Sequence, residues 1–120
     1  HSNCQIVHSH PRNLNDEQLQ AIFKQNGVVG LTFVPSFISD HENVFIPNLL
    51  RHLEHVLALG GEDHVAFGSD FDGITKTMND LSNAKQYHRL VNSLLQSYNE
   101  EQVEKWLHGN WQRVFQEILG

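Results

Sequence analysis

The stretch 65-VAFGSDFDGI-74 decides the fold, because an apolar run without alternation ends abruptly in two carboxylates separated by one aromatic residue and followed by glycine. Apolar residues on both faces of so short a segment mark a strand buried on both sides, the habit of parallel sheets covered by helices. The strand is expected from about His64 to Ser69. A carboxylate at the mouth of a buried strand is costly unless it is hydrogen-bonded, paired or facing a cation, so Asp70 and Asp72 are either turn residues or site residues. Asp72 precedes Gly73, and Asp-Gly is turn chemistry. Asp70 stands at the carboxyl end of the strand, where open α/β sheets and barrels bind their ligands.

A second stretch of the same kind, 28-VVGLTFV-34, is rich in β-branched residues and is closed by Pro35. Helical patterns surround the two. Asn15 with Gln18 three residues on makes an N-terminal cap, Leu19, Ile22 and Phe23 share one face, and Gly27 ends the pattern. The segment 35-PSFISDHEN-43 reads as a loop, and Pro47 suits the first turn of a helix whose stripe of Leu49, Leu50, Leu53, Val56 and Leu57 stops at Gly60-Gly61. Beyond the loop 72-DGITKTMND-80, a helix is expected from about Ser82 to Tyr98, with Tyr87, Leu90, Val91, Leu94 and Leu95 facing inward. Asn99 with Gln102 caps the next one, which directs Val103, Trp106 and Leu107 to the core. Gly109-Asn110 interrupts the pattern before Trp111, Val114, Phe115, Ile118 and Leu119 resume it.

The order helix, strand, helix, strand, helix, helix predicts an α/β fold with a parallel sheet. Two strands leave outer edges and bury too little to stand alone. A (β/α)₈ barrel takes ~250 residues, and this sequence has 120. The expected architecture is the C-terminal portion of a TIM-like (β/α)₈ barrel, about two parallel strands with four or five helices. Residues 1–120 would then be part of a single barrel domain whose N-terminal part is absent.

A formal charge of −6 with only 8 Lys and Arg argues against nucleic acid or an anionic membrane as partner. No apolar run approaches the ~20 residues that span a bilayer. The lone Cys4 makes no internal disulfide, which fits a reducing compartment and an expected cytoplasmic location.

The segment 1-HSNCQIVHSHPRN-13 gathers three His and one Arg in a loop-like stretch. A zinc spacing such as His-Glu-x-x-His is absent, and His8 and His10 read as polar loop residues before Pro11. Arg12 is either a solvated neighbour of the following helix or a guanidinium fork that grips a carboxylate in two places, and chemistry alone leaves that choice even. The other six His outside this segment read as structural. His52 and His55 have a helical spacing of three, but they lie along a helix away from the strand ends. Cys4 has no base beside it in the sequence and no expected role as nucleophile.

Together, His-Ser-x at the start, Arg-Asn-Leu before an Asp-Glu helix, 28-VVGLTFVPSF-37, 52-HLEHV-56, 68-GSDFDG-73 and 109-GNWQRV-114 resemble the C-terminal part of the membrane (renal) dipeptidase family. The resemblance covers essentially the whole chain. It implies a zinc metallopeptidase related to the amidohydrolase barrels, with two zinc ions in the intact enzyme and a dipeptide as substrate. It further implies that His1 is a metal ligand, that Arg12 binds the substrate's C-terminal carboxylate, and that Asp70 contacts the substrate and takes part in proton transfer.

The family's remaining ligands, a His-x-Asp pair, a bridging Glu and another His, come from preceding strands that this sequence does not contain. A catalytic zinc uses about three protein ligands, so this chain is expected to hold at most a partial zinc site and to lack dipeptidase activity in isolation. Two other readings stay open. One is a non-catalytic half-barrel that pairs its exposed strand edges with itself or with a separate N-terminal half. The other is a metal-dependent amidohydrolase acting on a different carboxylate-bearing substrate.

Overall fold

The computed structural model describes residues 3–33, 35–39, 43–68 and 87–119. Its first helix, α1 (Asp16–Lys24), begins where the sequence places a cap. Asn15 Oδ1 accepts the Gln18 N–H at 2.8 Å, and Gln18 Oε1 accepts the Asn15 N–H at 2.9 Å. Two of the donors that a helix start leaves orphaned are satisfied reciprocally. Leu19 is fully buried, with Ile22 and Phe23 packed beside it. The helix stops at Lys24, short of Gly27: the left-handed turn falls on Asn26, at φ 59°, and Asn is among the few residues that visit this region.

Strands β1 (Val29–Thr32) and β2 (Val65–Gly68) pair in parallel, with Val29 opposite Val65 and Thr32 opposite Gly68. All their residues are buried, as doubly covered strands require. Among the described residues the sheet has these two strands. β1 is shorter than the expected 28–34, and β2 starts one residue later than expected because His64 closes a 3₁₀ turn, Glu62–His64, ahead of it. The expected loop after β1 contains a one-turn helix, α2 (Pro35–Ile38), since the fixed φ of proline suits a first helical position.

Helix α3 (Ile46–Ala58) has Pro47 in its first turn. Phe45 has no polar side chain to cap with, and Asn48 Oδ1 instead accepts the Phe45 N–H at 2.9 Å. Leu49, Leu53 and Val56 are buried, with Leu50 and Leu57 on the flanks. The helix closes through Gly60, at φ 89°.

Helix α4 (Tyr87–Leu95) lies within the helix expected from Ser82 to Tyr98 and ends three residues short of it, at a turn; its expected start and the Tyr87 side chain lie outside the described residues. Leu90 and Leu94 are fully buried, four apart on one face. Leu95, expected inward, is 43% exposed, because one further residue turns it about 100° away from that stripe.

Helix α5 (Glu100–Glu104) starts on the expected Asn99 cap, with Asn99 Oδ1 accepting the Gln102 N–H at 2.8 Å. The expected interruption at Gly109-Asn110 is not a break. One wide turn of π-helix, Lys105–Gly109, carries the chain directly into α6 (Asn110–Leu119). Trp106 in this turn is fully buried, with Tyr98 packed edge-on at 4.8 Å between ring centroids.

Candidate functional site

The two ends of the strand pair are built differently. At the amino end, polar groups are spent on holding backbone. Asn110 Nδ2 donates to the Glu62 carbonyl at 3.0 Å and to the Val65 carbonyl at 2.7 Å, and Trp106 Nε1 also donates to the Glu62 carbonyl at 3.1 Å. The Arg113 guanidinium bridges the carbonyls of Asn26 and Asp63, both at 2.9 Å. His64 Nδ1–H donates to the Gly27 carbonyl at 3.0 Å. Lys105 Nζ donates to Glu62 at 3.0 Å and Asp63 at 2.8 Å.

These contacts set the charges there. The Gln102 hydrogen bond, then Lys105, holds the Glu62 carboxyl below its usual range. Lys105 does the same to Asp63. The Lys105 ammonium is raised in return, by Asp63 and then Glu62. In a barrel this end serves stability.

At the carboxyl end, Asn3 is fully buried and spends its side-chain amide on one residue of β1. Its Oδ1 accepts the Thr32 N–H at 2.7 Å, and its Nδ2 donates to the Thr32 carbonyl at 3.3 Å. The Asn3 backbone N–H donates to Asn13 Oδ1 at 3.2 Å, while Asn13 Nδ2 donates to the His8 carbonyl at 3.0 Å. Leu14 N–H donates to the Asn3 carbonyl and Gln5 N–H to the Leu14 carbonyl, each at 2.8 Å. The turn between His8 and Asn13 is thereby folded back onto the end of β1. Arg12 is exposed on it, its N–H donating to His10 Nδ1 at 3.1 Å.

One residue along, the Cys4 N–H donates to His52 Nδ1 at 3.0 Å, and His52 Nε2–H donates to the Ile38 carbonyl at 3.0 Å. An Nδ1 that accepts carries no proton, so the ring is the neutral Nε2–H tautomer. Burial lowers its pKa to about 4. Burial, with Asp16 adding, pushes the Cys4 thiol up to about 12. Both residues are buried, and the His52 ring is spent on two backbone groups.

Of the three site residues expected from the sequence, Arg12 is described. His1 and Asp70 lie outside the described residues, His1 two positions before Asn3 and Asp70 two positions after Gly68. The arginine's turn is tied to Thr32, and Thr32 is in register with Gly68. Among the described residues no group of three His, Cys, Asp or Glu could hold a metal ion. They make no zinc site by themselves, and His1 would add one nitrogen donor. Asn3 and Asn13 escape sequence reasoning, since a buried asparagine looks like any loop asparagine until its partners are known. No helix among the described residues is long and apolar enough to cross a membrane.

Residues 1–119 match the model of the family described as membrane dipeptidase, peptidase family M19. An uncharacterized protein from the pqqA 5′ region of Klebsiella pneumoniae is 38% identical, over 98% of this chain and 45% of its own length. Dipeptidase tcpJ of Claviceps purpurea is 32% identical, over 98% of this chain and 28% of its own length. A metallopeptidase from Rhodobacter sphaeroides, solved with a phosphinate mimic of the dipeptide L-Ala-D-Ala, is 36% identical with a TM-score of 0.85, over 92% of this chain and 33% of that one. The chain thus spans less than half the length of these relatives. Its parallel strand pair and covering helices correspond to part of the TIM-like barrel of the metallodipeptidases. With a match that runs from residue 1 to residue 119, the chain belongs to the membrane dipeptidase family.

Proposed function

We propose that this chain is the C-terminal part of a zinc-dependent dipeptidase that hydrolyses the peptide bond of small dipeptides. The observation that carries the reading is the fastening of the Arg12 turn to Thr32 at the carboxyl end of β1, the end where barrels of this type do their chemistry. In this reading the Arg12 guanidinium pairs with the substrate's C-terminal carboxylate through two parallel hydrogen bonds. Asp70 accepts a proton from the attacking water and returns it to the leaving amine. His1 contributes one ring nitrogen to a metal site completed by residues outside this chain. Zinc, when bound, polarises the scissile carbonyl and lowers the pKa of water.

The partner of this half is the rest of the barrel, on the same polypeptide or on a separate chain, and a second copy is the alternative mate for its strand edges. The single cysteine supports a cytoplasmic setting. One imidazole does not hold a catalytic zinc, so the 120 residues alone are inactive.

The test is expression of the whole open frame that encodes the chain, assayed for amine release from dipeptides with and without added zinc. Chelator-sensitive turnover is expected, with Arg12→Met raising KM for a dipeptide bearing a free carboxylate. A whole protein that hydrolyses no dipeptide under these conditions overturns the reading.

A further inference from the structure

We infer that Asn3 and Asn13 form a pair of positioning residues that hold Arg12 at the site mouth; the inference rests on the carboxylate-binding reading of Arg12 and names what sets it in place. Both asparagines are almost completely removed from solvent, at 0% and 5% exposure. Burying an amide is costly unless its hydrogen bonds are made. The two side-chain amides make theirs to the backbone of Thr32, of Asn3 itself and of His8.

Asn3 acts on Thr32 as a neighbouring strand would, accepting its N–H and donating to its carbonyl. Its own N–H passes the connection to Asn13 Oδ1. Asn13 closes the turn from inside, through Nδ2 to the His8 carbonyl and through its N–H to the His10 carbonyl at 2.9 Å. Arg12 precedes it by one peptide unit, and its own N–H is held by His10 Nδ1. A continuous run of hydrogen bonds therefore joins the end of β1 to the backbone on both sides of Arg12.

The chemistry calls for such a device. An exposed arginine has many rotamers to lose on binding, and a two-point grip on a carboxylate tolerates little displacement of the backbone from which the side chain hangs. Replacements at position 3 lose part of this pairing. Asp lacks the donor for the Thr32 carbonyl, Ser reaches one backbone group and not two, and Leu leaves both Thr32 groups buried without this partner.

The whole protein is assayed with two substrates, a dipeptide with a free carboxylate and the same dipeptide amidated at its C-terminus. Asn13→Ala and Asn3→Ala are expected to raise KM for the free dipeptide about tenfold, with kcat within about threefold and the amidated substrate unaffected. In an Arg12→Met background the same substitutions should have no further effect on KM. Asn13→Asp keeps the acceptor for the Asn3 N–H and should fall between wild type and Asn13→Ala, so the series stays informative if Asn3→Ala unfolds.

Unchanged KM in folded Asn13→Ala, with Arg12→Met still impaired, overturns this inference and leaves the reading of Arg12 intact. An equal rise in KM with and without Arg12 also overturns it, by assigning the asparagines a general structural role. If Arg12→Met leaves the preference for the free carboxylate unchanged, the Arg12 reading falls and takes this inference with it.

Discussion

The backbone N–H of Cys4 donates to Nδ1 of His52 across 48 positions of sequence, at 3.0 Å, and the far side of the same ring donates to the Ile38 carbonyl. One imidazole thus ties the amino-terminal segment to α3 and to the end of α2. It makes both bonds only when neutral, because a proton on Nδ1 would face the Cys4 N–H.

Acid should therefore loosen this junction first. The folded-state pKa of His52 is about 4, lowered by burial from 6.5. Between those values the unfolded chain binds a proton that the folded chain refuses, so stability is complete above pH 6.5 and declines as the pH falls toward 4. The loss amounts to roughly 3 kcal/mol for this group. Urea unfolding at pH 7.0 and pH 4.5 should show it, and His52→Leu should be less stable at neutral pH but flatter against pH. Parallel pH profiles for wild type and His52→Leu would refute the assignment.

Cys4 should behave as a hydrophobic residue. Its thiol pKa of about 12 leaves negligible thiolate at pH 8, and thiolate is the reactive form. Alkylation by iodoacetamide should proceed only at the rate of opening and become fast in denaturant. The linkage has the opposite sense to that of His52: above pH 9.0, the ordinary value, the unfolded thiol ionises while the folded one does not, so stability falls as pH rises toward 12. Rapid labelling of the native protein at pH 8 would contradict the burial.

Asn110 anchors the start of β2 from α6 by donating to two backbone carbonyls, Glu62 and Val65. Asn110→Ala removes both bonds inside a nearly sealed environment, and the expected cost is about 2–3 kcal/mol. The Glu62 carbonyl keeps the Trp106 indole, so Val65 bears most of the loss. Because these contacts lie at the amino end of the strands, kcat/KM per folded molecule of the whole protein should stay within about twofold. A denaturation midpoint equal to wild type would show that the bonds are replaceable.

What the sequence disclosed and what it concealed follow from the range of the interactions. Asn15 with Gln18 and Asn99 with Gln102 cap their helices within three residues, so each could be read from its own neighbourhood. The strands announced themselves as short apolar runs because both faces are covered. Arg12 stands out through the family resemblance, its chemistry alone leaving the choice even, and the turn that carries it is tied down through Asn3 and Thr32, 29 positions apart. Asn110 looked like a helix breaker, since its partners precede it by 45 and 48 residues. Composition and periodicity carry no record of such pairs.

Two adjacent glycines should respond to substitution for different reasons. At Gly61 a Cβ would stand 2.5 Å from Val56 Cγ1, 2.7 Å from Phe23 Cζ and 3.0 Å from the Val56 carbonyl, where the end of α3 meets α1. The backbone oxygen has little freedom to yield, so Gly61→Ala must part the two helices, at a cost of about 1–3 kcal/mol. At Gly60 nothing lies within 4 Å of the added atom, but φ is +89°. There the penalty is backbone strain of about 1 kcal/mol, and Asn, which tolerates positive φ, should recover part of it. Equilibrium unfolding of Gly61→Ala, Gly60→Ala and Gly60→Asn should rank them in that order from least to most stable. Equal stability of Gly60→Ala and Gly60→Asn would remove the strain explanation, and a neutral Gly61→Ala would mean that α1 and α3 have room to move apart.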